Sequence, residues 1–116
     1  MIYKPLKMRK AKVYVKSVEA GILTELIQGN DYVFEYHAEY DGLAVSRTMP
    51  IKEKVYKFDK FPPFFDGLLP EGIQLEGLLK IKKIDKNDCF SQLISVGEDM
   101  VGVVTVKEAT GWTAAR

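Results

Sequence analysis

Cysteine, histidine and tryptophan each occur only once in this 116-residue chain. A lone cysteine, Cys89, excludes an internal disulfide and any cysteine-rich zinc site. Added to it, the single histidine, His37, still falls short of the several nitrogen and sulfur ligands of most transition-metal centres. No run of residues approaches the roughly 20 apolar positions of a membrane span. The first 16 residues intersperse charge with apolar side chains and lack the continuous apolar centre of a secretory signal. These absences predict a non-membrane protein of a reducing compartment, the cytoplasm, with no resident metal or cofactor.

What is present fits one globular domain. Hydrophobic residues make up 47% and charged residues 28%, and 13 aromatics are enough to build a core without covalent staples. The net charge of +1 is unevenly placed. Lys4, Lys7, Arg9, Lys10, Lys12 and Lys16 stand in the first 18 residues without an acid. With six of the 17 basic residues there and all 16 acids beyond, the rest of the chain carries −5. Such an arm could meet nucleic acid or an acidic partner. Its lysines lack the arginine and aromatic company of nucleic-acid sites, so a solvated strand edge is the preferred reading and direct nucleic-acid binding is not expected. The expected organisation is a basic arm over residues 1–10, one domain over 11–107 and a tail over 108–116.

Period-two alternation predicts strands over Ala11–Val18, Ile22–Ile27 and Tyr32–Tyr36, with turns at Glu19-Ala20-Gly21 and Gln28-Gly29-Asn30-Asp31. A turn at Asp41-Gly42 leads into a fourth strand, Leu43–Met49. Ile51–Lys60 is lysine-rich and ends in Phe61-Pro62-Pro63-Phe64-Phe65, an aromatic loop or hinge, because consecutive prolines continue neither a helix nor a central strand. Leu75, Leu78, Leu79 and Ile81 predict an amphipathic helix over about Glu71–Lys83, opened by Pro70 and Glu71. Asp85 or Asn87 would cap a second helix, Asp88–Val96, that buries Phe90, Leu93 and Ile94 and stops at Gly97. Val101–Val106 reads as the closing strand. The fold class is therefore α+β: an antiparallel sheet or small barrel of about five strands, with two packed helices in the C-terminal half.

Catalytic motifs fare poorly. Gly97 and Gly102 have phosphate-loop spacing, but Val103 and Val104 stand where lysine and a hydroxyl residue belong. Cys89 has no base or cation beside it in sequence and reads as a small core residue; His37, among tyrosines at a strand end, reads as a surface or cap residue. The carboxylate pairs Asp66/Glu71 and Glu98/Asp99 flank glycines at element ends, where acids cap helices. The most unusual stretch is Phe64-Phe65-Asp66-Gly67-Leu68-Leu69-Pro70-Glu71-Gly72. It serves equally as a wedge between helices and sheet or as a partner-facing loop, since rigid aromatics make good binding anchors.

That stretch resembles the signature of the N-terminal subdomain of HipA-type serine/threonine kinase toxins. Tyr32-Val33-Phe34-Glu35-Tyr36 with Tyr40 resembles a strand of the same family, Asp88-Cys89-Phe90 with Leu93 its helix, and Gly97–Gly102 its closing turn. These blocks run in family order from about Val13 to Val106. In the family the subdomain precedes a kinase domain, and no kinase motif follows here. A free-standing copy is similar to the HipS subunits of tripartite HipB–HipS–HipT toxin–antitoxin modules. The resemblance implies a non-catalytic bacterial interaction protein that binds and neutralises a HipT- or HipA-like kinase, alongside a HipB-like helix-turn-helix DNA-binding protein. It leaves open a subdomain that supports assembly of a split or excised kinase without inhibiting it. By residue type and position in the unusual stretch, the partner-binding candidates are Phe64, Phe65, Asp66, Gly67, Leu68, Leu69, Pro70 and Glu71.

Overall fold

Alternating apolar residues produce the sheet on which everything else rests. In the computed structural model, which describes residues 8–27, 29–97 and 102–109, strands β1 (Arg9–Val15), β2 (Val18–Ile27) and β3 (Asn30–Tyr36) form an antiparallel meander. Strand β4 (Val55–Phe58) adds to β3 and β5 (Val104–Glu108) to β1, giving the order β4-β3-β2-β1-β5 with every neighbour antiparallel. Ala11, Val13 and Val15 from β1, Leu23 from β2, Tyr32, Phe34 and Tyr36 from β3 and Val106 from β5 are buried in one core. Side chains between them, such as Lys12, Tyr14 and Val33, are only partly covered.

The first turn falls earlier than the sequence predicts. Lys16 and Ser17, both left-handed at φ 50° and 68°, close a two-residue hairpin whose backbone twist matches that of the strands. Glu19-Ala20-Gly21 is therefore strand, not turn. The register shifts after Val13, so that Val13 faces Gly21 while Tyr14 faces Glu19, and Ala20 is the extra residue of a bulge. The bulge reverses the alternation of β2, which hid the strand in the pattern. Gly21 is required there: a Cβ would collide with the Glu35 carbonyl of β3.

Leu43–Met49 is not a strand. It belongs to the loop between β3 and β4, with one isolated bridge between Ser46 and Met49. Two tyrosines shape this loop. The Tyr36 hydroxyl donates to the Met49 carbonyl and accepts from the Val45 amide, and Tyr40 stacks on Tyr36 at 5.9 Å while donating to the Leu43 carbonyl. Val45 and Met49 are thereby buried without pairing along a strand. The fourth strand comes instead from the lysine-rich stretch, as a short edge strand with Lys57 in it, a common guard against edge-to-edge association.

Three helices follow rather than two: α1 (Pro63–Asp66), α2 (Gly72–Lys82) and α3 (Cys89–Gly97). Helix α3 packs on the sheet through Phe90 and Leu93. Asp88, rather than Asp85 or Asn87, caps it by accepting the Ser91 amide at 3.1 Å. Helix α2 has no fully buried side chain. Leu75, Leu78 and Leu79 are half-buried, but Ile81 points outward, because at about 100° per residue it is turned roughly 200° from Leu79. Pro70 lies before the helix, and extended Glu71 occupies the cap position without a side-chain cap bond. The four residues from Glu98 to Val101, including one of the carboxylate pairs, lie outside the described residues, as does the tail from Thr110.

Gly97 marks the closest approach of α3 to β5, since a Cβ there would meet the Val106 carbonyl. Gly97→Ala is expected to lower stability by about 1–3 kcal/mol through forced separation of these elements. A chemical-denaturation midpoint equal to that of the parent chain would show that the two elements separate freely.

Candidate interaction surface

The unusual stretch becomes a short helix because Pro63 presets the backbone of its first turn. Asp66 and Gly67 amides donate back to the Pro62 and Pro63 carbonyls, and Leu68 and Leu69 amides to Phe65 and Asp66. Tight turns therefore hold the whole segment, and its two phenylalanines point to different places. Phe65 is 0% exposed and lies in the core, 5.9 Å from the Phe34 ring. Phe64 is half-buried, edge-on to Phe65 at 5.2 Å, and borders an apolar groove of about 230 Å³ shared with Met49, Tyr56, Phe58 and Pro63. Leu68 and Leu69 rest partly covered against the core. Asp66, Gly67 and Glu71 are exposed, and Pro70 is partly so. Phe65 is thus the wedge of the core, while Phe64, Leu68 and Leu69 keep part of their apolar surface exposed.

The platform beneath is fixed by a polar network absent from the sequence reading. Glu25 of β2 is 1% exposed, and both of its oxygens are occupied. Arg9 Nε donates to Oε1 at 2.6 Å, while the Tyr32 hydroxyl and the Gly29 amide donate to Oε2 at 2.9 and 3.2 Å. Arg9 continues to Asp88 at 2.9 Å and to Ser91 Oγ at 2.8 Å, with its guanidinium over the Phe90 ring at 5.0 Å. The Ser91 hydroxyl donates to Asp88 at 2.7 Å. Burial raises the Tyr32 hydroxyl pKa, and the adjacent Glu25 carboxylate raises it further, so it stays a donor. Burial alone would raise Asp88, but hydrogen bonds from Arg9 and Ser91, together with the Arg9 charge, outweigh it and hold the carboxyl below its ordinary 3.8.

This network changes the reading of the basic segment. Arg9 is not in a solvated arm: it begins β1 and faces the interior. Ala109, beyond the expected domain end, is buried and donates its amide to the Lys10 carbonyl. Lys4 and Lys7 lie outside the described residues.

The other candidate residues lie apart from one another. Cys89 is half-buried, and burial followed by the charges of Asp66, Asp88 and Glu25 pushes its thiol up, away from a nucleophilic thiolate. His37 pairs with Glu19 at 2.7 Å, at the mouth of an open groove beside the first hairpin. Among the described residues no three His, Cys, Asp or Glu side chains gather as metal ligands, and no helix is long and apolar enough to cross a membrane.

Phe65→Ala is expected to cost about 3–5 kcal/mol by opening a core cavity. Asp88→Asn is expected to cost about 1–2 kcal/mol at neutral pH through loss of its charged hydrogen bonds. Because the folded Asp88 pKa is depressed, its contribution exists above the ordinary carboxylate value and vanishes as pH falls through the folded value. Thermal unfolding from about pH 7 down to about pH 2 should therefore show the gap between Asp88→Asn and the parent narrowing in acid; a constant gap would contradict the assigned role.

Comparison with known proteins agrees with this architecture. A family model described as the HipA N-terminal domain matches residues 11–107. An uncharacterized protein of Haemophilus influenzae is 32% identical over 101 residues, covering 87% of this chain and 93% of that protein. A solved N-terminal domain of HipA toxin superposes with a TM-score of 0.68 at 28% identity, covering 93% of this chain and 97% of that one. Sheet, helices and motif blocks therefore have a single origin: the chain belongs to the HipA N-terminal domain family, whose setting is toxin–antitoxin systems.

Proposed function

We propose that this chain is a non-catalytic partner of a HipA- or HipT-like serine/threonine kinase, docking on it in the cytoplasm and restraining its activity. The observation that carries the reading is the division of labour between adjacent phenylalanines. Phe65 locks α1 into the core, and that rigidity holds Phe64 with Leu68 and Leu69 as an apolar patch beside a groove. A preorganised aromatic loses little conformational entropy on binding and makes an effective anchor. Family membership supports a kinase as that partner, since in HipA-type toxins this subdomain precedes a kinase domain. The Haemophilus relative carries little beyond the matched segment, which supports separate chains for the two parts. A HipB-like DNA-binding protein completes the proposed assembly, and this chain makes no direct contact with nucleic acid.

One observation favours a second reading. The solved relative is a domain of the toxin itself, so the same fold can serve a kinase as part of its working structure. In that case the chain supports the kinase without inhibiting it, and the sign of its effect reverses.

Phosphorylation rates of a HipA-type kinase encoded beside this chain, measured with and without the purified protein, distinguish the readings. Inhibition and rescue of growth on co-expression are expected; activation would select the second reading, and lack of binding would remove both. Phe64→Ala should weaken kinase binding by about 30-fold, the loss of roughly 2 kcal/mol typical of a central anchor, with the unfolding midpoint little changed. Unaltered affinity would place the docking surface elsewhere.

A further inference from the structure

The sheet ends in β5 on one side and β4 on the other, and the two edges are treated differently. Ala109 and Lys16 donate to the Lys10 and Val103 carbonyls, which fixes the alternation of the β1–β5 ladder and turns the Val106 carbonyl away from β1. That carbonyl meets Gly97 at the end of α3, so the helix lies against the β5 edge. The β4 edge lies open. The Tyr36 amide donates to the Lys54 carbonyl, and in an antiparallel pair every second residue then faces its neighbour. Tyr56 and Phe58 therefore bond to β3, whereas the N–H and C=O groups of Val55 and Lys57 point away from it. Those groups meet no other backbone group among the described residues.

The two faces of this edge differ. Tyr56 and Phe58 lie opposite the core residues Phe34 and Tyr32, and they border the groove of about 230 Å³ that Met49, Pro63 and Phe64 complete. A strand added at the usual spacing of about 4.8 Å would set every second side chain over that groove. An apolar cavity of roughly 150 Å³ holds a benzene ring, so the groove takes one large apolar side chain. On the opposite face stand Val55, 44% exposed, and Lys57.

Charge selects the kind of strand that fits. Residues 52–60 hold four lysines against Glu53 and Asp59, in a body that is otherwise acidic. Lys52, Lys57 and Lys60 are exposed, and none forms an ion pair among the described residues. A second copy of β4 would bring the same lysines to the edge, and like charges across a strand pair are destabilising. A segment that alternates apolar and acidic residues meets both faces: its apolar side chain enters the groove, and its acids lie beside Lys57 and the neighbouring lysines.

We propose that β4 accepts an extended acidic–apolar segment of the kinase as a sixth strand, with one apolar side chain seated against Phe64. The proposal rests on the kinase-docking reading above and adds how the segment is held, by backbone hydrogen bonds to Val55 and Lys57.

Residue-resolved amide hydrogen exchange of the full chain, alone and bound to the HipA-type kinase encoded beside it, tests this. The Val55 and Lys57 amides should exchange freely in the chain alone and at least about tenfold more slowly in the complex, while Tyr56 is protected in both. Lys57→Glu should weaken binding about tenfold at low salt, and by less as salt rises. Lys57→Pro, tolerated on an edge strand because that amide faces outward, should weaken binding more than Lys57→Ala does. A complex that forms and is weakened by Phe64→Ala, while Val55 and Lys57 exchange as in the free chain, would overturn the added strand and leave the docking reading standing. A Lys57→Glu variant that binds as tightly as the parent would overturn it in the same way. Absence of any complex would remove both.

Discussion

The buried carboxylate of Glu25 is the constraint around which the sheet and α3 are arranged. An ionised group inside an apolar core is costly unless both oxygens find donors. Here the donors come from three directions: the Arg9 guanidinium on β1, the Tyr32 hydroxyl on β3 and the Gly29 amide of the turn between β2 and β3. Arg9 then extends the arrangement to Asp88 and Ser91 at the start of α3. Hydrophobic burial would tolerate small rotations of the helix on the sheet; directional bonds to a fork-shaped guanidinium do not. The network therefore sets the position of α3, and Gly97 at its far end permits close contact with β5.

A second constraint operates at the other edge. Tyr36 and Tyr40 hold the long loop after β3 through their hydroxyls and stacked rings, and this loop supplies Met49 to the groove beside Phe64. With Phe65 in the core, the signature segment has little freedom. The result is a rigid sheet carrying an apolar patch on α1. Rigid presentation suits the proposed docking on a kinase, because the ordering cost is met on folding.

The titratable groups drawn together are consumed in support: Asp88 is held ionised, Tyr32 protonated, and Cys89 away from its thiolate. The acids around Cys89 have the wrong sign to activate a thiol, and His37 pairs with Glu19 in another region.

Local pattern determined the three-strand meander, the helical span after Glu71 and the helix ending at Gly97, because period and end signals are short-range properties. The aromatic stretch and three further blocks were sufficient to place the family. Tertiary structure decided the rest. Whether Leu43–Met49 or Val55–Phe58 joined the sheet depended on tyrosine hydroxyls from β3, which no reading of either segment contains. The bulge at Ala20 exists only relative to β1. Arg9 looked like one more cation of an arm until Glu25, 16 residues away, and Asp88, 79 residues away, met it. Phe64 and Phe65 are identical in type and adjacent in sequence, and only the packing of α1 on Phe34 made one a core residue and left the other half-buried at the surface.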